Sequence, residues 1–94
     1  MADMDRITIK MLESRVDCLN KILNRPPTAY TRSGTKFEAN IGNFHLSEAY
    51  GGVCVHEMLG KGGGITEPIF YGHRPKREAF NLLNAYIRGI EQHV

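Results

Sequence analysis

Two amphipathic helical patterns bracket a run of short alternating segments, and that order narrows the folds open to this chain. From about Thr8 to Leu23, the residues Ile9, Leu12, Val16, Leu19 and Leu23 recur at helical spacing, which places them on one face. Lys10, Glu13, Asp17, Asn20 and Lys21 fall on the other, where Asp17 and Lys21 form a favourable i,i+4 pair. Thr8 has the side chain of an N-cap. Asn24 and then Pro26-Pro27 end the pattern, because proline cannot continue a helix and restricts the residue before it. A second stripe, made of Ala79, Leu82, Leu83, Tyr86, Ile87 and Ile90, predicts a helix from Pro75 to Gln92, with Gly89 weakening its end.

Between the helices the period changes. Thr28 to Lys36 is polar, contains Gly34 and reads as a loop. Phe37, Ala39 and Ile41 alternate with polar residues, as do Phe44 and Leu46, and then Val53 and Val55, so short strands are expected. Gly42 suggests a bulge or turn. A hairpin tip at Tyr50-Gly51 would set Leu46 opposite Val55 and His45 opposite His56. Ile65 to Tyr71 is expected as a last strand, held to the edge by Pro68. The reading is an α+β fold, a small antiparallel sheet with an N-terminal and a C-terminal helix packed on it.

With 94 residues, one domain spanning 1–94 is expected, and a domain of this size often self-associates. Tyr86 and Ile90, or Ile22 and Leu23, are the helix positions expected to meet a second subunit. Apolar residues are 41% of the chain, too many for general disorder. A net charge of +2 is too weak to suggest a nucleic-acid polymer as partner. No apolar run is long enough to cross a membrane. Met1 to Lys10 has no secretory apolar core, so a cytosolic protein with Cys18 and Cys54 reduced is expected, a Cys18–Cys54 disulfide being the alternative.

The strongest candidate site is the run Tyr71-Gly72-His73-Arg74-Pro75-Lys76-Arg77. Pro75 suits the first turn of a helix, whose outward N–H groups carry partial positive charge. Arg74, Lys76 and Arg77 add full charges there, which describes a seat for a phosphate. Tyr71 is placed to stack on a base or close the pocket edge. The alternative is a solvated basic turn pairing with Glu67 or Glu78. Gly60 to Gly64 is not a Walker loop, since Lys61 is followed by glycine instead of serine or threonine, and it reads as a flexible loop.

His45, Cys54 and His56 are expected on one sheet face. Zinc would require a further ligand from Cys18, His73 or a carboxylate, with no signature spacing, so no metal and no cofactor are expected. No catalytic residues are assigned: Ser47 beside His45 is not a triad, and Glu57 and Glu67 have no defined partner.

Several blocks carry a family resemblance: Ile7-Thr8-Ile9-Lys10-Met11-Leu12-Glu13-Ser14-Arg15-Val16, Ala39-Asn40-Ile41-Gly42-Asn43-Phe44-His45-Leu46, Ala49-Tyr50-Gly51-Gly52-Val53, Gly62-Gly63-Gly64-Ile65, Gly72-His73-Arg74-Pro75-Lys76-Arg77-Glu78 and Asn84-Ala85-Tyr86-Ile87-Arg88-Gly89. They resemble small phage and prophage proteins, and within these the anti-Thoeris sponge family. That resemblance implies a non-enzymatic protein of the host cytoplasm. It would sequester a cyclic ADP-ribose isomer, or in some members cyclic oligonucleotides, as a homo-oligomer, either a dimer or a hexamer built from dimers. Such a ligand needs phosphate donors, hydroxyl partners and a stacking surface, and Arg74, Lys76, Arg77, Asn43, Tyr50 and Tyr71 are residues of those kinds. A small phage protein that inhibits a host protein, and a small hydrolase, are the competing readings.

Overall fold

The computed structural model describes residues 6–92. Helix α1 spans Ile9–Ile22 and helix α2 spans Lys76–Glu91. The five strands are β1 (Tyr30–Ser33), β2 (Lys36–Ala39), β3 (Phe44–Ala49), β4 (Gly52–Met58) and β5 (Ile65–Thr66). They form two antiparallel sheets, β1-β2 and β3-β4-β5. The fold is α+β as expected, with two sheets in place of one.

Thr8 caps α1: its hydroxyl accepts from the Met11 N–H at 3.2 Å. Leu12, Val16 and Leu19 bury the inner stripe of α1, and Ala79, Leu83 and Ile87 that of α2. Each fully buried leucine or isoleucine among them contributes about 1.5–3 kcal/mol through removal from water. Asn20, expected on the outer face, is instead buried as the polar member of the α1 inner face, because both ends of its amide are satisfied there. Its Nδ2 donates to the Phe44 carbonyl and its Oδ1 accepts from the Phe44 N–H, both at 2.9 Å. The amide thereby replaces a neighbouring strand and locks α1 to β3.

The β3-β4 hairpin has the predicted register, Leu46 opposite Val55 and His45 opposite His56. Tyr50 and Gly51 form its tip with φ of 55° and 73°, as a type I′ turn requires. Partners across an antiparallel pair share a face. Phe44, Leu46, Val53 and Val55 therefore line one face and join the helix stripes in the core. His45, Ser47, Cys54 and His56 line the other.

Two expectations about the strands need correction. The stretch from Thr28 to Lys36 is not all loop: Tyr30–Ser33 pairs with Lys36–Ala39. β2 lies where the alternation of Phe37 and Ala39 predicts a strand, whereas β1 is exposed throughout and, with no buried face, shows no alternation. The predicted last strand is paired only at Ile65 and Thr66; Glu67 to His73 instead arches away. Tyr86, Ile90, Ile22 and Leu23, the positions expected to meet a second subunit, are half-buried and pack against the core. The Gly60–Gly64 segment is the tight connection between β4 and β5, with the Gly63 N–H donating to the Gly60 carbonyl at 3.0 Å and the Leu59 N–H to Gly64 at 2.8 Å.

Candidate functional site

β4 is paired at both ends of its free edge. Glu57 and Met58 pair with β5, and Val53 bridges to Arg74, each N–H donating to the other's carbonyl at 2.8 Å. The chain between these two attachments, Glu67 to His73, arches beside the polar face of the hairpin. It is braced internally: the Gly72 N–H donates to Glu67 Oε1 at 2.9 Å, and Arg74 Nε donates to the Tyr71 carbonyl at 3.2 Å. Gly52 makes the Arg74 approach possible, because a Cβ there would lie 2.7 Å from the Arg74 carbonyl oxygen.

The arch brings His73 onto the same face as His45 and His56, giving a continuous series of rings. His45 and His56 stand edge to face with centroids 5.5 Å apart, His56 and His73 at 6.2 Å, and His73 and Tyr50 at 5.7 Å. Ser47 Oγ and His73 Nε2 share a hydrogen bond of 3.1 Å. His45 Nδ1 lies 3.2 Å from Asn43 Oδ1. Under the arch, Cys54, His56 and Glu67 present one sulfur, one imidazole nitrogen and one carboxylate oxygen within 4.8 Å of one another.

These groups alter one another's ionisation. Burial lowers the His45 pKa, and His56 opposite lowers it further. Burial also lowers that of His56, with Glu67 opposing and His73 reinforcing the shift. The Cys54 thiol is pushed up to about 11, first by burial and then by the facing Glu67 carboxylate. Glu67 itself titrates below the usual carboxylate range, chiefly because the Gly72 N–H donates to it. Cys18 and Cys54 are both free thiols.

The basic helix start follows His73 and meets the hairpin tip on its Glu48–Val53 side. Pro75 is the N-cap of α2, one residue before the first-turn position expected for it, with extended ψ of 147° and no side-chain capping bond. The first-turn N–H groups therefore have no side-chain partner at the cap. Arg74 is engaged by Tyr71 and by Glu78 at 3.6 Å. Among the described residues, Lys76 and Arg77 are exposed and neither has an ion-pair partner. Lys76 joins Glu48, Ala49, Gly51, Gly52 and Val53 around an open cleft of about 310 Å³ at the hairpin tip.

Of the six residues expected to hold a ligand, five lie along this edge. Tyr50 is 97% exposed and Tyr71 80%, while Arg74, Lys76 and Arg77 follow on the helix start. Asn43 does not join them. It is fully buried, donates through Nδ2 to the Pro26 carbonyl at 2.8 Å and is held by His45, so its amide is committed to the turn before β3. Ser47, His73 and Glu67 are the members that sequence reasoning did not unite. The strand parity of Ser47 with His45 was the one local signal, and the arch that delivers the other two has no periodic pattern.

No protein-family model, curated protein or solved structure matches this chain. No helix among the described residues is long and apolar enough to cross a membrane.

Proposed function

We propose that this chain is a host-cytoplasmic binding protein that sequesters a cyclic nucleotide signal of the cyclic ADP-ribose class without cleaving it. The observation that carries this reading is the seating of the α2 start against the hairpin tip by the paired Val53–Arg74 hydrogen bonds. That contact sets the uncapped α2 start and Lys76 at an open cleft of the hairpin tip, whose turn carries the exposed Tyr50. Pyrophosphate suits the cationic helix start. Adenine suits the Tyr50 or Tyr71 ring. Glu48, an acid that would repel phosphate, suits the hydroxyls of a ribose, to which a carboxylate accepts hydrogen bonds.

Self-association belongs to the same reading. The β1-β2 hairpin is an isolated two-stranded sheet, marginal by itself, and it presents Phe37 at 67% exposure. A second copy covering it would stabilise the hairpin and make the homo-oligomer.

A hydrolase is favoured by one observation, the Ser47–His73 hydrogen bond of 3.1 Å, which has the form of a nucleophile and its base. One experiment separates the two. The protein is screened by thermal shift against cyclic nucleotides and ADP-ribose isomers, and bound material is recovered by heating. Ligand at 100 times its dissociation constant adds about 2.7 kcal/mol of stability. Unchanged ligand supports sequestration and a cleaved product supports the hydrolase. No stabilisation by any nucleotide, together with capture of a host protein, supports the inhibitor reading in their place.

A further inference from the structure

We propose that Cys54, His56 and Glu67 form a binding site for a divalent transition-metal ion, with zinc as the ion their donors suit best. The three donor atoms come from two separate stretches of chain. Cys54 and His56 are alternate residues of β4 and so project from the same face. Glu67 reaches them because β5 pairs with the end of β4 and the arch then turns back past its free edge. Their donor atoms lie within 4.8 Å of one another.

Zinc bonds of about 2.0–2.3 Å place tetrahedral ligands about 3.3–3.8 Å apart. A donor pair at the 4.8 Å limit must therefore close by about 1–1.5 Å, a shift on the scale of side-chain rotation. One sulfur, one imidazole nitrogen and one carboxylate oxygen make a mixed donor set of borderline softness, which favours zinc over magnesium or calcium.

The surroundings match a ligand site in one further respect. Glu67 Oε1 already accepts a hydrogen bond from the Gly72 backbone at 2.9 Å, the kind of outer contact that orients a ligating carboxylate. Water would complete the coordination, since the neighbouring His73 is bonded through Nε2 to Ser47 Oγ at 3.1 Å. Without metal Cys54 is a neutral thiol; once binding has deprotonated it, the cation offsets the repulsion between the new thiolate and the Glu67 carboxylate. On binding, the Cys54 S–H bond breaks, its proton leaves to solvent and the sulfur electron pair forms the bond to zinc. No electron is transferred.

The test uses the full chain, stripped with chelator and then titrated with cobalt(II) as a spectroscopic stand-in for zinc, followed by competition with zinc. The expected result is one ion per chain, with a near-ultraviolet thiolate-to-cobalt band and the intense visible bands of a tetrahedral site. Zinc should abolish both and raise the unfolding temperature. Cys54→Ser should remove the thiolate band. Glu67→Gln, at a half-exposed position where the amide oxygen can still accept from Gly72, should keep the metal-free fold and weaken binding by about tenfold or more. Cys18→Ser should leave both signals intact. Cobalt binding without a thiolate band, equal affinity in Glu67→Gln and the parent, or no uptake by the folded parent would each overturn the proposal.

Discussion

Val53 and Arg74 exchange both of their backbone hydrogen bonds, at 2.8 Å each, across a gap that only a glycine at position 52 permits. The pair fixes three things: the path of the arch, the position of His73 on the hairpin face and the start of α2. Gly52→Ala would push its Cβ to 2.7 Å from the Arg74 carbonyl oxygen and 3.0 Å from its carbon, both backbone atoms that cannot swing aside. The expected cost is about 1–3 kcal/mol, read as a lower urea midpoint. Gly60→Ala, where nothing lies within 4 Å of the added Cβ, is the control and should change stability by much less.

Tyr50 occupies the left-handed region, with φ of 55°, while its ring stands in solvent. A tyrosine there is strained by about 1 kcal/mol or more. Asparagine is the residue that a type I′ turn prefers before glycine. Tyr50→Asn should therefore stabilise the protein by about 1 kcal/mol and weaken the nucleotide found in the thermal-shift screen. Equal affinity in the variant would show that the Tyr50 ring makes no contact with the ligand.

Arg77→Ala tests the anion seat. A hydrogen bond to a charged group contributes about 1.5–3 kcal/mol, so affinity should fall about 10- to 150-fold. Lys76→Ala should act in the same direction. Arg77→Lys should restore only part of the loss, because an ammonium lacks the planar fork. Unfolding midpoints should barely move, as the side chain is exposed. Lys21→Ala, on the outer face of α1, should leave binding unchanged. Calorimetry reads all four.

Phe37 tests self-association. Phe37→Ser removes the most exposed apolar side chain of the β1-β2 hairpin. If a second copy covers that hairpin, sedimentation should show the variant as a monomer of 10.6 kDa at concentrations where the parent is larger. A parent that is already monomeric under those conditions would remove this interface.

Stability should fall in mild acid. The folded-state pKa values of His45 and His56 lie below the ordinary 6.5, so the unfolded chain takes up protons first as pH drops. Stability is then level above about pH 7 and declines as pH falls through 6.5 toward the lowered folded values. Glu67 moderates the effect at His56 and adds an acid-labile contribution of its own at lower pH, since its folded pKa is also lowered. Urea titrations from pH 8 to about 5 in chelator should show the decline, and His45→Gln should flatten it.

The parts of this fold that were legible in the sequence are those with a buried face. Leu12, Val16 and Leu19 announce α1 by their spacing, as Ala79, Leu83 and Ile87 announce α2. Register in the β3-β4 hairpin follows from the short Tyr50-Gly51 tip, which also predicts His45 opposite His56. In the exposed β1-β2 hairpin only β2 was legible, from Phe37 and Ala39; β1 has no buried face, and Tyr30 to Ser33 carries no periodic signal.

The candidate site divides along the same line. Its cationic helix start is written locally, in consecutive residues from Arg74 to Arg77, and the sheet face of His45, Cys54 and His56 follows from strand parity. The meeting of Glu67 and His73 with that face is tertiary. It depends on β4 being paired at both ends of one edge, by residues 57 and 58 with β5 and by Val53 with Arg74, so that an arch without periodicity of its own must lie beside it. Sequence periodicity reports which faces are buried, because burial is what selects for it. A contact made by an irregular segment spanning two fixed points leaves no such pattern, and only the three-dimensional closure of the chain decides it.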